Sequence, residues 1–398
     1  MLFISAFSIA SANAQEEADY KYERPSLYCM MIENPGASFN EDIKAVYQNV
    51  RQPERFNDHS LGVKTIMFGD KRDQKENIDI FLKKVGLAKK MVARWFNRDK
   101  STGVCNMELI KERGNYNATV LDVNAAKQQI RGLSILEDAG EDLISHTYLV
   151  MNNITYANKN TTSSFADNPS IGRLLFSSIG TSLVDAAISS KTGVETNTFK
   201  NLMENMKGFK VHITSYLYRL KWENKIADEF YGRFYTENPD DKKIEDFNKE
   251  DKMFQMEYVG KIEETSSGIT FNKETTAEQM LTKILTRALD KNIAELQHNF
   301  SDFRIKAPIT STSPIKAYIG MKEDVTEKSK YEVLERIQNS NGKIEYKRVG
   351  IVRPVKNKIW DNRYMASEED NPQALLNYTE FEKVSGGDFY PGMLLKEL

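Results

Sequence analysis

Leu281, Ile284, Leu285, Ala288, Leu289, Ile293, Leu296 and Phe300 recur at helical spacing, and directly after them the texture of the chain changes. A stripe that broad must be covered, so the helix carrying it needs a sheet or a second helix against it. Thr275-x-x-Glu278 has the form of a capping box, which sets the helix from Thr275 to Phe300. From Phe303 onward short alternating runs replace the helical period: Phe303–Lys306, Ile315–Ile319, Tyr331–Ile337, Lys343–Val352 and Met393–Leu395. Ser340-Asn341-Gly342 supplies a hairpin turn, and Ser385–Gly392 reads as a structural turn closed by Pro391-Gly392. About five short strands in residues 301–398 define a small C-terminal β-barrel, an SH3-like module.

Upstream, strand and helix patterns alternate. Ser26–Glu33 reads as a buried strand, followed by the turn Asn34-Pro35-Gly36 and a helix over Phe39–Val50 with Asn40 as its cap. Val63–Phe68 is a second strand. Ile78, Phe81, Leu82, Val85, Ala88, Val92, Trp95 and Phe96 then predict one helix from Asp73 to Asn97. Val104–Lys111 and Ala118–Val123 read as strands around the turn Arg113-Gly114-Asn115, Val123–Leu136 as a helix, and Leu143–Tyr156 as a strand. The polar stretch Asn158–Pro169 marks a subdomain break near residues 157–170, and Ile171–Ser190 is an apolar helix. Val211–Trp222 and Phe230–Tyr235 read as adjacent strands whose aromatic rings pack across the pair. Asp240–Lys252 reads as a charged loop and Phe254–Glu263 as a further strand. The sum is an α+β or α/β chain, with a mixed-sheet domain over residues 26–300 followed by the barrel.

Composition narrows the function classes. With 40% hydrophobic and 28% charged residues the chain is of the folded kind, and a net charge of -2 gives no electrostatic case for nucleic acid. A mean hydropathy of -0.55 argues against an integral helical membrane protein. Cys29 and Cys105 both fall in strand-like runs. If those strands are neighbours, one disulfide would close a long loop and contribute about 4 kcal/mol; otherwise they are two buried thiols.

The chemistry-bearing patterns are sparse. His59, His146, His212 and His298 form no close pair and no His-Glu-x-x-His, which leaves them as structural histidines. The sequence has no Gly-x-Ser-x-Gly elbow and no Gly-rich phosphate loop, so no catalytic, cofactor or metal residue is assigned. Lys83, Lys84, Lys90, Arg94 and Arg98 line one side of the Asp73–Asn97 helix. They form either a solvated face or a binding surface for anionic lipid or polysaccharide. Abundant Asp and Glu keep a paired-carboxylate hydrolase of glycan or cell wall as the alternative function.

Near the start, Leu2–Ala10 is apolar and ends in Ala12-Asn13-Ala14 before Gln15-Glu16-Glu17, the form of a secretory signal and its cleavage site. Only Met1 precedes the run, which points to a start further upstream or a trimmed end. The expectation is removal of residues 1–14, a linker over 15–25, and a mature chain in the periplasm or outside the cell with no transmembrane segment. The Lys- and Asn-rich texture together with that signal favours a Gram-negative source.

In layout the chain resembles the periplasmic flagellar T-ring and curli-secretion proteins, whose α/β domain is similar to the N-terminal domain of the Tol-system propeller protein. Asn117–Leu149, Val211–Tyr235 and Thr282–Phe300 carry that likeness, with Ile319-Gly320-Met321-Lys322 and Val349-Gly350-Ile351-Val352 matching the small terminal barrel. The curli-type lipidation cysteine is absent. The resemblance implies a non-enzymatic scaffold or interaction role, with envelope proteins or a second copy as partners, and carries over no functional residue.

Overall fold

A computed structural model describes residues 25–117, 143–158, 207–270 and 276–398, apart from positions 38, 54, 69–72, 305, 339–343 and 370. Expectations for the signal, the segments 118–136 and 159–190, and the 340–342 turn lie outside those residues.

The first domain is built on a mixed sheet. It includes β1 (Ser26–Glu33), an apolar strand buried along both faces. On one flank β1 pairs in parallel with β2 (Asn57–Asp58) and β3 (Thr65–Met67), and on the other with β4 (Thr147–Asn158). Antiparallel β5 (Lys207–Leu220) and β6 (Met256–Thr270) continue the sheet, giving the order β2-β1-β4-β5-β6. Helix α1 (Asn40–Asn49) covers one face. Helices α2 (Gln74–Val85), α3 (Leu87–Trp95), α4 (Glu108–Asn117), α5 (Asn224–Arg233) and α6 (Asp241–Lys249) belong to the same domain.

Alternation along β1 fixes the layers. Tyr28, Met30 and Ile32 enter a core shared with Ile78, Trp95, Phe96 and Phe230, while Leu27 and Met31 enter cores on the opposite face. Cys105 belongs to the first of these and Cys29 packs against the second, so the sheet stands between them. Both are free thiols. A bridge needs Cβ atoms about 4 Å apart, which opposite faces of one sheet forbid.

Several local expectations are corrected. The expected Asp73–Asn97 helix is two helices, because Gly86 adopts the left-handed conformation (φ 59°) and ends α2. Asn40 is not the cap of α1. Phe39 takes that place in the left-handed region, without a side-chain hydrogen bond. Val104–Lys111 is not a strand, since α4 starts at Glu108 and also absorbs Arg113-Gly114-Asn115. Phe230–Tyr235 is helical as far as Arg233, and Asp240–Lys252 contains α6, with Asp240 accepting from the Lys243 amide at 3.0 Å as its cap. Phe230 and Tyr231 are followed four residues later by Phe234 and Tyr235, a helical repeat rather than a strand one.

Helix α7 (Ala277–Asn299) covers the same face as α1. Its capping box is Thr276 with Gln279, one residue beyond the expected pair: the Gln279 amide donates to Thr276 Oγ1 at 3.1 Å and the Thr276 amide to Gln279 Oε1 at 2.9 Å. The turn Ser301–Phe303 takes in Phe303, the first residue of the expected strand Phe303–Lys306, and plugs it into the first domain, stacked on Phe56 at 5.0 Å.

The C-terminal region is a curled antiparallel half-barrel. Its strands are β7 (Ala307–Pro308), β8 (Ser311–Thr312), β9 (Ile315–Ala317), β10 (Tyr331–Gln338), β11 (Ile344–Pro354), β12 (Thr379–Gly386) and β13 (Leu394–Glu397). They follow the order β7-β13-β10-β11-β12-β9-β8. The two edge strands, β7 and β8, are joined by Ile309-Thr310 alone, so the sheet must curl until its edges lie within about 10 Å. Gly386, the second residue of the Ser385–Gly392 segment, ends β12. At φ 114° it lies so close to β11 that an added Cβ would sit 2.3 Å from the Val349 carbonyl oxygen.

Candidate functional site

The chemistry of the described residues concentrates where α7 meets the half-barrel. One face of α7 sends Leu281, Ile284, Leu285, Ala288 and Leu289 into the sheet core. The opposite face carries Lys283, Arg287, Asp290 and Gln297, spaced by three, four and seven residues, so they share one side of the helix. That side faces the half-barrel instead of water.

Two clusters span this seam. At one end, Arg287 donates from Nη1 to Glu369 Oε1 at 2.6 Å and from Nε to the Tyr364 carbonyl at 2.9 Å, with Lys283 Nζ 3.2 Å from the same carboxylate. Glu369 lies in the long β11–β12 connection, which Asp361 organises by accepting from Arg363 and Asn371. Burial works against the charge on Glu369 and on Asp361. Arg287 with Lys283, and Arg363, outweigh it and hold both carboxyls below the usual range.

Nearer the middle, Arg55 Nε lies 3.4 Å from Glu323 Oε1, and Glu323 Oε2 accepts from the Gly320 amide at 2.6 Å and from Asn362 at 2.7 Å. Lys322 Nζ lies 3.6 Å from Asp290 Oδ1. Burial pushes the Asp290 carboxyl up against the pull of Lys322 and Arg55. Arg55 Nη1 reaches Gln297 Oε1 at 3.4 Å. Arg304 fastens the far end, donating to the carbonyls of Gln297, His298 and Glu397. Buried Arg55 Nη2, Arg287 Nη2, Asp290 Oδ2 and Gln297 Nε2 have no hydrogen-bond partner, four of the seven such atoms among the described residues. An orphaned buried polar atom costs about 1–3 kcal/mol, so the seam is a strained contact rather than an optimised core.

The expected site residues are not gathered here. Lys83 and Lys84 end α2, while Lys90 and Arg94 lie on α3 beyond the Gly86 turn. All four are exposed. Arg98 departs from that set, because its guanidinium packs over the Phe247 ring at 4.1 Å and Nη2 donates toward the Lys243 carbonyl. Burial pushes the Cys29 thiol up to about 12 and raises that of Cys105, which removes thiolate character from both.

Sequence reasoning passed over a second buried group. His59 is fully buried: Nδ1 accepts from Arg113 Nη1 at 3.0 Å, so Nε2 carries the proton and donates to the Met91 carbonyl at 3.0 Å. Burial first, then the Arg113 charge, pushes its pKa down to about 3. Arg113 also donates to the Asp58 carbonyl at 2.9 Å and stacks over Trp95 at 4.4 Å. The group sits at the amino ends of β1 and β4, whereas open α/β sheets bind ligands at the carboxyl ends of their strands. It is a structural lock. Arg113 stood in an expected turn, which is why the pattern did not single it out.

Among the described residues no three His, Cys, Asp or Glu side chains converge as a metal site, and no helix is long and apolar enough to cross a membrane. The chain matches no protein-family model, and no curated protein matches it.

Proposed function

We propose that the protein is a non-enzymatic interaction protein of a bacterial envelope, periplasmic or cell-surface, in which α7 couples the sheet domain to the half-barrel. The observation that carries this reading is the two-sided packing of α7, apolar toward the sheet and ion-paired toward the half-barrel. Polar, incompletely satisfied interfaces within a chain resemble transient protein–protein contacts, so the charges that hold the seam are ones a partner can release. A partner held by one body then alters how the other is presented. The signal-like N-terminus and the layout shared with envelope assembly factors support the location.

The glycan-hydrolase alternative asks for two carboxylates facing each other across an apolar-walled cleft. The buried carboxylates Asp290 and Asp361 and the half-buried Glu33, Glu323 and Glu369 sit instead against Lys322, Arg363, Lys44, Arg55 and Arg287. Such pairing suits a structural role.

Fractionation with in-cell photocrosslinking tests the proposal, using a crosslinker at Leu375, which is 87% exposed on the half-barrel. The expected result is an envelope location and a discrete crosslinked partner or second copy. A cytoplasmic location, or glycan cleavage by the purified chain, overturns it.

A further inference from the structure

We propose that the free edge of β6 pairs with β6 of a second copy of this chain, antiparallel about a two-fold axis that sets Ile262 opposite itself. Strand β6 ends the order of the first sheet and is 15 residues long. The other strands at sheet margins, β2, β3, β7 and β8, have two or three residues each. Outward from β6, the backbone of Lys261–Gly268 makes no hydrogen bond among the described residues. A long strand edge of this kind is a template for another strand.

The two faces of β6 differ. One lies under α7, so close that an added Cβ at Gly260 would overlap the Phe300 ring and one at Gly268 the Ile284 side chain. Ile262 is on that side and packs, half-buried, into the core beneath. The opposite face exposes Lys261, Glu263, Thr265 and Ser267, with Lys261 Nζ 2.8 Å from Glu263 Oε1. A lysine on an edge strand ordinarily wards off a second strand. Here the charge reverses two residues on, which makes the edge complementary to itself.

In an antiparallel pair, facing side chains lie on the same face, so a two-fold register is centred on one residue. Centred on Ile262, Lys261 of each copy faces Glu263 of the other, closing a ring of four alternating charges. Ile262 then faces Ile262, and Glu264, held by Lys291 at 2.7 Å, faces Gly260. Centring one residue earlier sets Lys261 against Lys261, and one residue later sets Glu263 against Glu263. That pattern selects a second copy over an unrelated strand, which would have no reason to match it. The bulge between Tyr258 and Gly260 ends the regular run, so pairing is confined to Gly260–Glu264 and the dimer is weak.

Sedimentation velocity of the purified full chain from about 1 μM to 1 mM spans the affinities of small interfaces. A dimer that grows with concentration is expected. Lys261→Glu alone, or Glu263→Lys alone, sets like charges opposite each other twice over and should weaken it by about tenfold or more. Lys261→Glu together with Glu263→Lys exchanges the two signs and should restore it. An equal mixture of the two single variants should restore it too, because opposite charges meet again. Both residues are half exposed, and circular dichroism checks that each variant folds. A monomer throughout the range, single variants that dimerise as the native chain does, or no recovery in the exchange and the mixture overturns the proposal. The interface does not depend on the compartment, so its failure leaves the envelope reading standing, and a cytoplasmic location leaves the interface standing.

Discussion

The imidazole of His59 is wedged between the Arg113 guanidinium and the Met91 carbonyl, with no carboxylate beside it. Its folded pKa of about 3 lies below the ordinary value of 6.5, so the folded state favours the neutral ring. The stability this contributes is complete above about pH 6.5 and is lost as pH falls toward 3. His59→Gln keeps one donor and one acceptor but does not titrate, so urea unfolding across that window should show a flatter acid slope than the native chain. An unchanged slope would mean the ring does not titrate with folding. Asp290 has the opposite sign. Its raised folded pKa makes stability fall as pH rises from the ordinary carboxylate value through the folded one. Asp290→Asn should remove that decline and leave the acid loss set by Asp361 and Glu369, whose lowered values make their contribution vanish as pH falls.

Helix α7 separates capping from packing. Thr276→Ala should cost about 1 kcal/mol by freeing the Gln279 amide, whereas Leu285→Ala, fully buried, should cost roughly 2–5 kcal/mol in urea unfolding. Equal losses would mean the apolar stripe does not pack as described. The stripe was legible because a 3.6-residue period over 23 residues leaves little ambiguity. Short elements were less so. Phe230–Tyr235 is rich in residues that favour strands, and its four-residue aromatic repeat spans a single turn, so the packing of Phe230 on Phe96 at 4.3 Å is what settles it as helix. Gly86 sits inside an unbroken apolar period, and only its left-handed backbone reveals the break. In the half-barrel, β7 and β8 are two residues each, too short to leave a periodic signature. The polar face of α7 was the largest omission, since charged residues opposite an apolar stripe ordinarily mean water.

At the scale of the whole molecule, that polar face is what joins the two sheets. Cations on the α7 side, Arg55, Lys283 and Arg287, meet the half-barrel acids Glu323, Glu368 and Glu369, with Asp290 and Lys322 reversed. These pairs are part-buried, and placing like charges across them replaces attraction with repulsion in an interface that already holds orphaned polar atoms. The phenylalanine plug at Phe303 and the Arg304 clamp tether the half-barrel at the end of α7. The direct measurement is a spin-label distance distribution between Lys225 on α5 and Lys356 on the half-barrel, each replaced by a labelled cysteine after Cys29 and Cys105 are changed to serine or alanine. It is compared in the otherwise native chain and in an Arg287→Glu, Lys322→Glu variant that puts like charges across the seam. The account predicts one narrow distribution in the former and a broad, longer one in the latter, with the first domain still folded by circular dichroism. The same narrow distribution in both would contradict it, because the half-barrel would then be held by contacts other than these charges.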